Sequence, residues 1–205
     1  MQTPALPLTL ALPLLAASAG AQTLVANANQ TPAEDVPSSG PEDFTAFGDE
    51  TVFTAETAST GREAWLTDGS AAGTRLLLDL FPGATSALPR EWTALPDGDR
   101  VFAVNTPPFG DELWRTDGTP AGTTLVADLQ LGPGGSGLST FEAHAGEVFF
   151  YAAGDGAGRS LWKTDGTLNG TLEVSDFATA GVPEPSIGFE AARSTALGLF
   201  FTSTT

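Results

Sequence analysis

The sequence contains no cysteine and a single histidine, His144, and these two scarcities remove whole classes of chemistry. Without thiols there are no disulfides, thiolate metal sites or thiol nucleophiles, and a lone imidazole leaves little material for acid–base work near neutral pH. Positive charge is scarce too. Eight basic side chains, with Lys163 the only lysine, stand against 25 acidic ones, giving a formal charge of −17. That balance repels phosphate backbones and anionic membrane surfaces, so no nucleic-acid partner is expected. Also missing are a P-loop, a G-x-S-x-G elbow, an H-E-x-x-H helix and any Cys/His cluster.

Long apolar runs are absent except at the start, "MQTPALPLTLALPLLAASAGAQ". Its small residues Ala19 and Ala21 occupy the −3 and −1 positions of a signal-peptidase site before Gln22. The run is interrupted by Pro7 and Pro13 and is too short to span a bilayer, although it also lacks the usual basic n-region. Residues 1–21 are therefore expected to be a signal peptide. The mature protein is expected to be secreted, periplasmic or cell-surface, with no integral membrane segment.

What is abundant is turn chemistry. The chain carries 24 glycines and 15 prolines, spaced between short bursts of Val, Phe, Thr and Trp that favour strands. Among them one motif recurs. Residues 63–74 read "EAWLTDGSAAGT", residues 110–123 "GDELWRTDGTPAGT" and residues 161–171 "LWKTDGTLNGT". Trp65, Trp114 and Trp162 each stand three residues before an Asp-Gly turn, at spacings of 49 and 48 residues. A catalytic loop is normally present once per domain, whereas a motif copied at such a period marks a repeat architecture.

Each unit reads as four short strands. An aromatic-x-Ala start (Phe44, Trp92, Phe141, Phe189) is followed by "TVFTAE", "RVFAVN", "EVFFYA" or "GLFFTS". Then come the Trp strand, the Asp-Gly turn and an outer strand ending near Asp79, Asp128 or Asp176. These runs are too short for helices, and four antiparallel strands per unit match a β-propeller blade that buries its faces against its neighbours. The expected fold is all-β, a propeller-like array of four-stranded antiparallel blades forming an incomplete ring. The aromatic-x-Ala strand should be innermost and the outer strand last. Residues 22–43 form an orphan outer strand and a Pro- and acid-rich linker. Repeat 1 spans 44–87, repeat 2 spans 88–137, repeat 3 spans 138–185, and a partial repeat 4 spans 186–205.

Physical roles for the motif follow. The three tryptophans supply apolar area between blades, with an indole N–H that needs an acceptor. Asp68, Asp117 and Asp165 can bond backbone N–H groups across the turn, and Gly69, Gly118 and Gly166 can take positive φ. Ser70, Thr119 and Thr167 can close the turn with a hydroxyl, and Gly73-Thr74, Gly122-Thr123 and Gly170-Thr171 complete the pattern. All are structural positions on this reading. No catalytic residue and no cofactor is expected, and a calcium site at the turn is the alternative, disfavoured because one carboxylate per turn falls short of calcium's 6 to 8 oxygens.

"ELWRTDGTPAGT", with its weaker copies at residues 64–74 and 161–171, resembles the ELWxxDGTxxGT repeat proteins of bacteria. The resemblance covers about residues 39–205, with Ala64 in place of Leu, Ser70 in place of Thr and Ser160 in place of Glu. It implies export and a propeller-like architecture, and it brings no established activity and no catalytic residue.

At the ends, "TLVANA" (Thr23–Ala28) resembles the outer strand "TLVADL" (Thr124–Leu129), and after "GLFFTST" no further Trp or Asp-Gly turn follows. On these grounds the chain is expected to be an incomplete ring.

Two functions are compatible with this pattern. The first is an exported non-enzymatic repeat module for binding, adhesion or envelope scaffolding, with an unknown protein or polysaccharide ligand. The second is an extracellular hydrolase or lyase with paired carboxylates at the propeller axis, for which a non-repeated pair would be needed. His144, the Asp97-Asp99-Arg100 hairpin and the Asn169-Gly170-Thr171 sequon read as turn or surface residues.

Overall fold

The computed structural model describes residues 38–154, 157–175, 188–195 and 198–204. The expected signal peptide, the Thr23–Ala28 strand, residues 22–37 of the linker and Asp176 lie outside the described residues. Described residues form fourteen strands and no helix.

The first sheet is β1 (Glu42–Phe47), β2 (Glu50–Thr57), β3 (Gly61–Thr67) and β4 (Arg75–Leu78). The second is β5 (Arg90–Ala94), β6 (Arg100–Thr106), β7 (Gly110–Thr116) and β8 (Thr124–Ala127). β9 (Ser139–His144), β10 (Glu147–Gly154), β11 (Ala157–Thr164) and β12 (Leu172–Ser175) make the third, and β13 (Gly188–Thr195) pairs with β14 (Gly198–Thr204). All pairings are antiparallel between sequence neighbours, so each sheet is a meander. No sheet is hydrogen-bonded into a closed barrel with another. The first strands adjoin, β9 lying against both β5 and β13.

The second strand of the second sheet, "VFAV", is apolar on both faces because that sheet packs against the first sheet on one side and the third on the other. Val52, Ala64, Leu66 and Leu77 of the first sheet are buried in one cluster with Trp92, Phe102 and Val104 of the second. Val101, Ala103, Leu113 and Val126 of the second sheet meet Val148, Phe150 and Ala152 of the third. The core thus lies between sheets, as strands with alternate residues facing opposite neighbours require.

Backbone bridges complete these joints. Ala87 N donates to Arg62 O at 3.1 Å while Ala87 O accepts from Asn105 N at 3.0 Å. Ser136 does the same between Asp111 O (2.9 Å) and Ala153 N (2.8 Å). Each connector therefore threads between the third strand of one sheet and the second strand of the next.

Two features differ from the sequence reading. Phe150, not Phe149, stands opposite Trp162, in the place of Phe53 opposite Trp65 and Phe102 opposite Trp114. The third sheet is thus offset by one residue from the motif alignment. Each first strand also carries a one-residue bulge, at Asp43 (φ 57°), Glu91 (φ 62°) and Thr140 (φ 60°). The bulge falls just before the aromatic, which stacks on the second strand: Phe44 on Phe53 (5.4 Å), Trp92 on Phe102 (4.2 Å) and Phe141 on Phe150 (5.1 Å).

Candidate functional site

The repeated turn is built almost identically three times. Asp68 Oδ1 accepts from Ser70 N (2.8 Å) and Ser70 Oγ (2.7 Å). Asp117 Oδ1 accepts from Thr119 N (2.8 Å) and Oγ1 (2.7 Å), and Asp165 Oδ1 from Thr167 N (2.9 Å) and Oγ1 (2.7 Å). The same hydroxyl oxygens then accept from Gly73 N, Gly122 N and Gly170 N at 2.9 to 3.0 Å. These bonds, the hydroxyl's first and the backbone N–H's second, hold the three exposed carboxyls below their usual pKa. A Cβ at Gly73, Gly122 or Gly170 would fall onto the carboxylate of Asp68, Asp117 or Asp165. The second glycine of the motif is there to admit the aspartate.

A hydroxyl contact, part-buried in the first copy and buried in the other two, closes each turn from below. Thr67 meets Thr74 at 2.7 Å, Thr116 meets Thr123 at 2.7 Å, and Thr164 meets Thr171 at 2.8 Å. The threonine before each aspartate also accepts from Gly69 N, Gly118 N or Gly166 N. Sequence reasoning gave this threonine no role, although its place in all three copies was a signal.

The first glycine serves the joint between sheets. A Cβ on Gly118 would meet the Phe47 ring at 2.7 Å, and one on Gly166 would meet the Leu95 side chain of the second sheet. Arg75 Nη2 donates to Gly118 O at 3.4 Å and Arg115 Nη1 to Gly166 O at 3.4 Å. Arg75 is paired with Glu50, and Arg115 with Asp97 and Asp99. The "PDGDR" carboxylates thus anchor an arginine. Arg100 donates to Ala46 O at 2.6 Å and lies 5.1 Å from the centre of the Phe47 ring.

Trp114 and Trp162 sit in these joints, while Trp65 packs on Phe53 and Ala55 of its own sheet; all three are only partly buried, whereas Trp92 is buried. Their indole N–H groups, and that of Trp92, have no acceptor among the described residues. The acceptor expected from the sequence is missing, and the rings are held by apolar contact.

The residue most at odds with its surroundings is the motif glutamate. Glu63 and Glu112 are fully buried. Glu63 Oε2 accepts from Leu80 N and Oε1 from Phe81 N, both at 3.2 Å. Glu112 Oε2 accepts from Leu129 N at 2.8 Å and from Ser136 Oγ at 2.6 Å. Each carboxyl ties down the connector that leaves its own sheet. Among the described residues neither is in a salt bridge, and the nearby Asp79 or Asp128 carboxyl opposes its ionisation. Burial pushes Glu63 up to about 7 against the lowering effect of the backbone N–H groups, and raises Glu112 in the same way. Ser160 stands in this place in the third sheet. Alternation puts the glutamate on the same side of its strand as the tryptophan, a signal that sequence reasoning passed over.

His144 lines an open hollow of about 280 Å³ together with Leu95, Pro96, Ala145, Glu147 and Ser194. Its Nδ1 shares a hydrogen bond with Ser194 Oγ at 2.9 Å, and Ser194 N donates to Glu142 Oε1 at 2.6 Å. Glu147 is occupied by Lys163 at 2.9 Å, and among the described residues no carboxylate bonds the other ring nitrogen of His144. Asn169 is exposed in the third turn. Among the described residues no group of three or more His, Asp or Glu side chains is arranged to hold a metal, and no helix is long and apolar enough to cross a membrane. No family model, curated protein or solved structure matches this chain.

Proposed function

We propose that this chain is an exported, non-enzymatic repeat module of β-propeller type, which presents loops for binding, adhesion or envelope scaffolding to a protein or polysaccharide. The observation that carries this reading is where the motif directs its polar atoms. Asp117 Oδ1, Thr119 Oγ1 and Thr116 Oγ1 are each engaged within the turn, as are their counterparts in the other copies. A repeat whose most distinctive groups bond one another is scaffold, and the variable connectors are left to meet a ligand.

The hydrolase or lyase reading needs free carboxylates on the inner strands. Glu91 Oε2 accepts from Phe141 N at 3.2 Å, and Glu142 Oε1 from Ser194 N, so both have structural work. The test is to pass the purified chain over immobilised envelope polysaccharides and exported proteins while assaying the same polymers for new reducing ends. Saturable retention without product is expected. Turnover abolished by a single inner-strand carboxylate substitution would assign the enzyme reading. Calcium is the alternative for the turn, and melting that falls with a chelator, an effect lost in Asp117→Ala, would assign it.

A further inference from the structure

We propose that the outer flank of the third sheet, together with the outer edge of β14, is a docking surface for a β-hairpin that carries a tryptophan strand and an Asp-Gly turn. The hairpin would be of the kind Gly110–Ala127 forms within this chain. The occupant is defined by three features of the joints already described, each of which lacks its counterpart at this one place.

The first is apolar. Leu77 of β4 and Val126 of β8 are 1% and 8% exposed, in clusters against which Trp114 and Trp162 of the following sheet pack. Val174 holds the same position in β12, two residues on from Leu172, the partner of Lys163, as Leu77 and Val126 lie two residues on from Arg75 and Thr124, the partners of Leu66 and Arg115. It is 45% exposed. A tryptophan entering from the next sheet is what covers this position elsewhere.

The second is polar. Arg75 and Arg115 each hold a carboxylate of their own sheet and also donate to the carbonyl of the Asp-Gly glycine in the next sheet. Lys163 follows Trp162 as Arg115 follows Trp114, and holds Glu147 in the same manner. Among the described residues it meets no glycine carbonyl. An ammonium has three donors, so it can hold Glu147 and still accept a turn.

The third is the backbone. β2, β6 and β10 each pair a third strand, while among the described residues β14 pairs with β13 alone. β13 lies against β9 as β9 lies against β5, so β13 and β14 take the place of the first two strands of a following sheet. A strand added to β14 would carry its tryptophan over Val174 and its turn toward Lys163. This is recognition by β-augmentation, with main-chain bonds giving affinity and the indole pocket giving specificity.

The inference rests on the joints between sheets and not on the binding or adhesion reading, so either can fail alone. The test titrates the full chain into a fluorescently labelled peptide of sequence Gly110–Ala127 and follows anisotropy. Saturable binding is expected, weakened about tenfold or more by Val174→Asp in the chain or by alanine in place of the peptide's tryptophan. Val174 is exposed, so its substitution leaves the fold intact. A free hairpin loses affinity to its own ordering, so the same segment is also fused behind Thr205 through a flexible linker. The fusion should melt higher than the parent, and Val174→Asp should cancel the gain. An unchanged melting point in the fusion, or binding indifferent to both substitutions, would overturn the proposal. So would a dimer of the parent chain that the peptide leaves undisturbed, because the edge would then belong to a second copy.

Discussion

At the scale of single residues, the buried glutamates and the exposed aspartates respond to pH in opposite directions. A carboxyl whose folded pKa is raised contributes most below its unfolded value of 4.5, and the contribution is lost as pH rises through the folded value, about 7 for Glu63. The loss is on the order of 3 kcal/mol for Glu63. The turn aspartates, held low, contribute above their unfolded value of 3.8 and lose that contribution as pH falls further. Melting temperature should therefore peak near the two unfolded values and decline toward neutrality, and Glu63→Gln should flatten the decline. Thermal melts across acid to neutral pH measure both. A second prediction follows from the crowding of Gly122 against Asp117. Gly122→Ala should destabilise by roughly 1 to 3 kcal/mol through overpacking. Asp117→Ala alone, at an exposed turn where water replaces its bonds, should cost about 1 kcal/mol, and in that background Gly122→Ala should become nearly neutral. A double-mutant cycle of melting free energies reads the coupling. The aspartate and both glycines stood out in the sequence because they recur, but the glutamate was passed over because a charged residue in a strand reads as surface until its neighbours are known.

At the scale of the strand and sheet, more was legible. Four short runs between turn residues gave the strand order, because hairpins between sequence neighbours need no knowledge of distant contacts. The offset of β10 was hidden by "VFFY", where two adjacent phenylalanines offer two registers and only packing against the second sheet chooses Phe150. The bulges were hidden because Asp43, Glu91 and Thr140 share no chemistry. Thr140 is β-branched at φ 60°, a conformation that costs of order 1 kcal/mol or more. Thr140→Gly should thus stabilise the third sheet by about 0.5 to 1 kcal/mol, against the usual loss when glycine enters a strand, and denaturant melts would show the sign. Trp114→Ala should cost about 3 kcal/mol, as it strips a large ring from the cluster between the first two sheets.

For the whole molecule, charge and architecture pull apart. A net charge of −17 makes the chain repel itself, while the ion pairs at the joints are partly exposed and individually weak. Salt screens both, and the summed repulsion is the larger effect. Raising sodium chloride from about 20 mM to about 500 mM at neutral pH should therefore raise the melting temperature.

The joints also have a direction. In both, the earlier sheet supplies the bulky residue, Phe47 or Leu95, and the later sheet supplies the glycine that fits beneath it. Each four-stranded sheet is built from strands contiguous in the chain. A polypeptide threaded out of a narrow pore N-terminus first therefore presents each new sheet with a finished seat. The molecule can be laid down like masonry, course upon course, with no course waiting for one not yet delivered.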